Sequence, residues 1–174
     1  MFKRELFFIK DLENRKEAEE LLKKIPAYFK EIPASSTGKY HPAYSLGEGG
    51  LYRHTRAAML IAQELFNLYK FTDEEKDDIM IALMFHDALK QGTKDEKDGY
   101  SLHEHPLLAA TFILEKSNFK RKDQIAPLIR SHMGQWTKSP YSPFILPLPE
   151  TETEKFVHLC DYIASRKFLE AKLE

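Results

Sequence analysis

Six polar residues stand where helical periodicity calls for apolar side chains: His54, the adjacent pair His86 and Asp87, His105, His132 and Asp161. Steps of three and four place them on stripes. These read His54, Ala58, Ile61, Leu65, Leu68; then Ile79, Leu83, His86; then Ile125, Leu128 and Ile129, His132; and last Val157, Asp161, Ala164, Phe168. A polar group buried without a partner costs roughly 2–7 kcal/mol, so imidazoles and carboxylates on several core-facing stripes must satisfy one another or share a partner. A divalent cation at the centre of a helical bundle is the simplest common partner. The mixed donor set suits manganese, iron, cobalt, nickel or zinc, whereas magnesium and calcium disfavour imidazole. His54, His86, Asp87 and Asp161 make one site, and His105 with His132 completes a second, with Asp87 bridging the two cations.

His86 and Asp87 are neighbours, about 100° apart around a helix, so a cation above the groove between them is reached by both. Lys90 follows one turn along, where its ammonium can hold a phosphate oxygen. A cation in such a site activates water for in-line attack on phosphorus, and Lys90 would neutralise charge developing on the phosphoryl oxygens. Each member has an ordinary alternative. A single histidine on an apolar stripe is more often a satisfied core residue; Asp87 can pair with Lys90 or a distant arginine; Asp161 can accept from a buried tyrosine. The joint pattern favours the cation, because every such accident would have to fall on a core face.

The elements that must position these residues are helical. Residues 12–25 have helical composition, interrupted by Ile25-Pro26, and a shorter helical piece follows over 26–32. After a polar, irregular stretch to Gly50, the apolar period predicts a helix over 51–69. Thr72 and Glu75 form a capping box, opening a helix that runs to about Lys90 with Gly92 as its stop. Residues 91–104 are a charged loop. Pro106 suits a first helical position, which puts His105 at the N-cap of a helix reaching about Lys116. Another helix spans 123–133. Residues 134–150 hold four prolines and read as a long surface loop. Thr151 and Glu154 form a second capping box, opening a final helix to about Lys172. No stretch alternates with period two, so the protein is expected to be all-α.

Composition bounds the function. A chain of 174 residues with 43% hydrophobic and 30% charged residues is most simply one domain, 1–174, with a core of its own. A formal charge of −1 carries no global basic field, so duplex DNA is not expected as a partner; a compact phosphorylated substrate needs only local positive charge. Cys160 is the sole cysteine, which excludes an internal disulfide and a cysteine-rich zinc module and suits a cytoplasmic protein. The charged N-terminus does not read as a signal peptide, and the longest apolar run, 79–85, is far short of a membrane span, so no membrane partner is expected. A homo-oligomer is compatible with all of this.

Weaker features are candidates for substrate contact. Ser36-Thr37-Gly38-Lys39 is not a phosphate loop, since that pattern needs an earlier Gly and a Ser or Thr where Tyr40 stands; Lys39 and His41 can still line an entrance. Trp136, the sole tryptophan, offers a face for a base or packs under the proline-rich segment. Arg130 offers a phosphate contact or pairs with a surface acid. His158 reads as solvated.

The order His, His-Asp, His, His, Asp resembles the HD-domain superfamily of metal-dependent phosphohydrolases. Gly49-Gly50-Leu51-Tyr52-Arg53-His54-Thr55 is similar to the Gly-Gly-Leu-x-x-His-Thr segment of HD domains in bacterial 3′-to-5′ exoribonucleases. Phe85-His86-Asp87-Ala88-Leu89-Lys90 resembles the His-Asp-x-x-Lys core. His105-Pro106-Leu107-Leu108-Ala109 is similar to the His-Pro-x-x-Gly segment of HD-GYP-type phosphodiesterases. Ile129 to His132, followed by Trp136, and Leu159 to Ile163 fit the remaining two stations. The resemblance covers about residues 40–168, leaving 1–39 as an N-terminal helical extension. It implies a single-domain helical bundle around one or two metals, and it favours His105 over His103 as the ligand because of the Pro neighbour. His103 is then the reserve, as ligand or as proton donor to the leaving oxygen. Leu89 replaces a frequent glycine, Tyr44 to Glu48 lengthens the preceding loop, no Gly-Tyr-Pro follows His132, and no oligonucleotide-binding barrel precedes the domain. These departures favour a small nucleotide or short phosphodiester over cyclic dinucleotides or long RNA. A catalytically silent metal or nucleotide sensor is the principal alternative, and a purely structural helical module the third.

Overall fold

A computed structural model describes residues 1–95 and 100–170 and contains, among them, six α-helices: α1 (Leu12–Leu21), α2 (Gly50–Leu65), α3 (Asp73–Phe85), α4 (His105–Lys116), α5 (Lys122–Arg130) and α6 (Glu152–Ala164). Residues 96–99 of the charged loop and the helix end expected near Lys172 lie outside the described residues. The only β pairing among them is an isolated bridge between Ser139 and Ser142, so the protein is all-α. No described helix is long and apolar enough to cross a membrane.

Both capping boxes form. Thr72 accepts from the Glu75 amide while the Glu75 carboxylate accepts from the Thr72 amide, and Thr151 with Glu154 does the same at α6. α3 is buried on every side from Asp77 to Phe85, as its unbroken apolar run requires, and it packs against α2, α5 and α6. The two acids in that stretch both have partners, although Asp78 Oδ1 is left without one. Asp77 accepts the Lys10 and Asp11 amides at 2.7 and 2.8 Å, and Asp78 accepts from Arg121.

The N-terminal residues are built into the same core. Phe2, Leu6, Ile9, Ala18 and Leu21 belong to one buried cluster with residues of α2 to α6, and the Phe2 ring packs 4.8 Å from that of Tyr52. Tyr28, fully buried, reaches furthest. Its hydroxyl accepts from the Gln91 amide at 3.1 Å and donates to the Gly92 carbonyl at 2.6 Å. It thereby holds the chain just beyond the His86–Lys90 segment, and burial pushes its phenol up to about 12. Tyr28→Phe strands both backbone groups and should destabilise the fold by about 1–3 kcal/mol, read by urea unfolding.

Helix ends depart from the periodic expectation. α3 stops at Phe85 rather than Lys90, and residues 86–90 continue in turns bonded three residues back, Ala88 to Phe85 and Lys90 to Asp87. α5 stops at Arg130, leaving His132 in the turn beyond. α2 passes into a 3-10 turn at Phe66–Leu68, whose three-residue period turns Leu68 out to 76% exposure instead of continuing the stripe. The buried face of α2 runs through Leu51, His54, Thr55, Ala58 and Ala62, with Ile61 and Leu65 only half-buried. α6 ends at Ala164; the Arg166 amide bonds back only three residues to Ile163, the Lys167 amide donates to the Tyr40 carbonyl at 2.9 Å, and Phe168 is exposed.

The Gly49-Gly50 pair has a steric origin. Gly49 caps α2 at φ +70°, and a Cβ on Gly50 would sit 2.2 Å from the Ser45 carbonyl oxygen, against backbone that cannot swing away. Gly50→Ala should therefore cost about 1–3 kcal/mol. It should lower the thermal midpoint by roughly 2–12 °C in a calorimetric scan.

Candidate metal centre

Three helices and two helix-terminal turns bring the six residues together. α2 supplies His54, the turn after α3 supplies His86 and Asp87, α4 opens with His105, the turn after α5 supplies His132, and α6 supplies Asp161. His54, His86, Asp87, His105 and His132 are each at most 2% exposed. Donor atoms fall into overlapping sets within 4.8 Å of one another: His54, His86 and Asp87; His86, His132 and Asp161; Asp87, His105 and His132.

Asp87 lies between two halves of the cluster. Its Oδ2 stands 3.4 Å from His86 Nε2, 4.0 Å from His54 Nε2 and 2.7 Å from the Lys90 ammonium. Its Oδ1 faces His105 Nε2 at 2.9 Å and His132 Nε2 at 3.6 Å. Asp161 Oδ1 closes the other side, 2.8 Å from His54 Nε2 and 3.5 Å from His86 Nε2.

Backbone carbonyls orient the imidazoles. His86, His105 and His132 each place Nδ1 against the carbonyl three residues earlier, that of Leu83, Leu102 and Ile129, at 2.6–2.7 Å. A carbonyl accepts only, so Nδ1 carries the hydrogen and a neutral ring presents the Nε2 lone pair to the cluster. This is the outer-shell device that sets a metal-ligating histidine. It also leaves the interior with a surplus of acceptors. His105 and His132 meet Nε2 to Nε2 at 3.3 Å beside a carboxylate oxygen, and burial lowers both imidazoles, His105 to about 4. His86 Nε2, Asp87 Oδ1 and His54 Nδ1 have no hydrogen-bond partner although fully buried. Lone pairs facing one another across 3–4 Å are held apart from water only at a cost, and a cation among them removes it. The residues fit one or two divalent transition-metal ions.

The charges within the cluster are strongly coupled. Burial alone would lower His86, but Asp87 and Asp161 outweigh it and raise the imidazole to about 10. Burial alone would raise both aspartates; Lys90 and His86 hold Asp87, and His54 and His86 hold Asp161, well below the usual carboxylate range. Without a cation, a proton on His86 substitutes for it.

Beside the cluster opens a cleft of about 500 Å³, lined by Lys90, His41, His103, Glu104 and one edge of His105. His41 packs its ring 5.7 Å from that of His54 and carries a buried, unpartnered Nδ1; burial and the neighbouring His54 lower it to about 4. His103 lies in the cleft wall, its Nε2 bonded to the Thr137 carbonyl at 3.2 Å, outside the donor cluster that His105 enters.

Three residues expected at the substrate sit elsewhere. Arg130 lines a separate concavity with Pro147, Leu148 and Glu150, because Leu128 and Ile129 take the buried face of α5 and turn their neighbour outward. Lys39 is exposed, with its ammonium 5.1 Å over the Tyr40 ring. Trp136 stacks on Tyr162 at 5.7 Å, with the Arg166 guanidinium over both rings, and does not line the cleft.

Two contributors escaped the sequence reading. His158, expected in solvent, is half-buried and hydrogen-bonds the His132 carbonyl through Nδ1 at 2.7 Å, steadying the turn that carries a donor. Its place three residues before Asp161, on the same face of α6, was the available signal. Glu104 is the other; beside His105 it was hidden in a run of loop charge.

The HD-domain family model matches residues 51–166, more than half of the chain and the segment that carries all six donors. No curated protein and no solved structure matches the chain.

Proposed function

The chain belongs to the HD-domain family, whose members are generally metal-dependent phosphohydrolases, and from that premise we propose that it hydrolyses a phosphoester of a nucleotide or short phosphodiester. The observation that carries this reading is the acceptor-rich cluster with Lys90 beside it: the ammonium is 2.7 Å from Asp87, and the lysine side chain, 12% exposed, lines the cleft.

His54, His86, Asp87 and Asp161 would hold one cation, and Asp87 with His105 and His132 a second. A bound cation of this kind supplies Lewis acidity that activates water and polarises the phosphoryl group. The chain's own side chains do the rest. Lys90 binds a phosphoryl oxygen and neutralises charge as it develops there. The Asp87–Lys90 pair keeps that ammonium in place before substrate arrives. His103, whose Nε2 donates to the Thr137 carbonyl, lines the cleft, and its Nδ1 would be the atom to pass a proton to a leaving oxygen. Burial of five of the six donors to 2% exposure or less keeps bulk water from most of the cluster.

A panel of aryl phosphoesters and nucleotides, assayed with Mn²⁺, Co²⁺ and Zn²⁺, tests the reading. Hydrolysis of at least one phosphoester is expected. Lys90→Ala should lower kcat by about 10²-fold or more, with metal content by elemental analysis unchanged. Tight nucleotide binding without product would instead make the chain a sensor, and Lys90→Ala at full rate would remove Lys90 from the chemistry.

A further inference from the structure

The cleft beside the cluster has an uneven distribution of charge. Among the described residues lining it, Lys90 is the only lysine or arginine, and it already shares its charge with Asp87. Further along the wall stands a half-buried carboxylate, Glu104. Ser142 donates to its Oε2 at 3.0 Å, tying the proline-rich loop to the start of α4. Tyr100 and Tyr141, 75% and 95% exposed, also line it, and the remaining wall is imidazole (His41, His103 and His105), hydroxyl and apolar.

These observations bear on substrate class. A diphosphate or triphosphate carries additional negative charges along its length, and recognition of such groups uses arginine or lysine for each. Among the described residues this wall offers none beyond Lys90, and it carries a carboxylate, Glu104, next to His105. A carboxylate is an acceptor only, so it welcomes N–H and O–H groups and repels anions. Exposed tyrosine faces suit a flat ring. A volume near 500 Å³ falls within the range of small-molecule sites and is modest for an oligonucleotide.

We propose that the cleft selects substrates with a single phosphoryl group joined to an uncharged, hydrogen-bond-donating ring system, the nucleoside monophosphate class. Glu104 reads the donor edge and excludes further phosphates, and Tyr141 covers the ring. The selectivity rests on the phosphohydrolase reading and deepens it.

The test uses the full chain loaded with Mn²⁺ and compares p-nitrophenyl phosphate with nucleoside mono-, di- and triphosphates. The monophosphates should exceed the diphosphates in kcat/KM by about tenfold or more, the discrimination expected of a charge-mismatched site. Glu104→Lys should shrink that ratio to within about threefold by removing the repulsion. Tyr141→Ala, at a side chain too exposed to matter for folding, should raise the monophosphate KM about fivefold with kcat retained. Calorimetric titration of the metal-free protein should likewise show tighter binding of the monophosphate than of the diphosphate. Hydrolysis of p-nitrophenyl phosphate with equal rates on mono- and diphosphates overturns the selectivity and leaves the hydrolase reading standing. So does a Glu104→Lys variant of native unfolding temperature with an unchanged ratio. Absence of hydrolysis of every phosphoester with every metal overturns the reading and the selectivity together.

Discussion

Asp87→Ala should abolish hydrolysis, with a loss in kcat/KM on the order of 10⁴-fold, equivalent to about 5–6 kcal/mol of transition-state stabilisation. Asp87 is 1% exposed and is the single residue whose two oxygens address both halves of the cluster, Oδ2 toward His54 and His86 and Oδ1 toward His105 and His132. Removing it takes one donor from each half and frees Lys90 from its partner. The metal-free variant also keeps the His86 imidazolium without the carboxylate that stabilises it, and breaking a buried ion pair from one side costs roughly 3–5 kcal/mol. Asp87→Asn separates the two effects. It preserves shape and supports folding, so its metal content and its rate report on ligation alone. Elemental analysis should find less metal in both variants than in the parent. A fully metallated, fully active Asp87→Asn protein would refute the bridging role.

The second large effect is metal-dependent stability that grows with pH. At a free metal concentration about a thousandfold above its dissociation constant, a ligand specific to the folded state contributes roughly 4 kcal/mol. For a domain of this length that is a rise of about 8–16 °C in the thermal midpoint. The pH dependence follows from His86, raised in the metal-free protein to about 10. A group with a raised folded pKa stabilises the fold fully below its unfolded value near 6.5, and that contribution is lost as pH climbs toward 10. The depressed aspartates act at the other end: their contribution is present above about 4 and disappears as pH falls through their low folded values. The metal-free protein should therefore weaken between pH 6.5 and 10. The loaded protein should not, because the cation displaces that proton and takes its electrostatic place. The metal-induced shift should widen across this interval. Calorimetric titration near pH 7.5, in buffers of different ionisation enthalpy, should register about one proton released per first metal bound. A shift that is flat with pH, with no proton release, would mean that His86 is not a ligand.

The donor set was legible because its signal is local. Histidine and aspartate at apolar positions of a helical stripe stand out in one dimension, and two capping boxes located the helices that carry Asp161 and precede His86. The family resemblance drawn from the same residues agrees with the HD-domain match over residues 51–166. The surroundings were less legible. Extrapolated periodicity carried α3 through His86 to Lys90, whereas the chain leaves the α-helix after Phe85 in turns pinned from afar by Tyr28. It likewise left Leu68 and Phe168 on core stripes, although both face solvent. Lys39, Arg130 and Trp136 were attractive as residue types near the motifs, yet sequence proximity does not specify which concavity a surface side chain borders.

The chain by itself determined which residues are chemically competent and which helices bear them, since a 3.6-residue period and a capping box act over a few neighbouring positions. Tertiary structure decided how those residues are used. It turns three Nε2 atoms inward by hydrogen bonds at the other ring nitrogen, sets Asp87 between two groups of donors, and sets Glu104 and Lys90 along one cleft. Such choices depend on contacts between segments up to about a hundred residues apart, such as the 107-residue separation of His54 and Asp161. No local pattern encodes them, because their free energy exists only once the helices have packed.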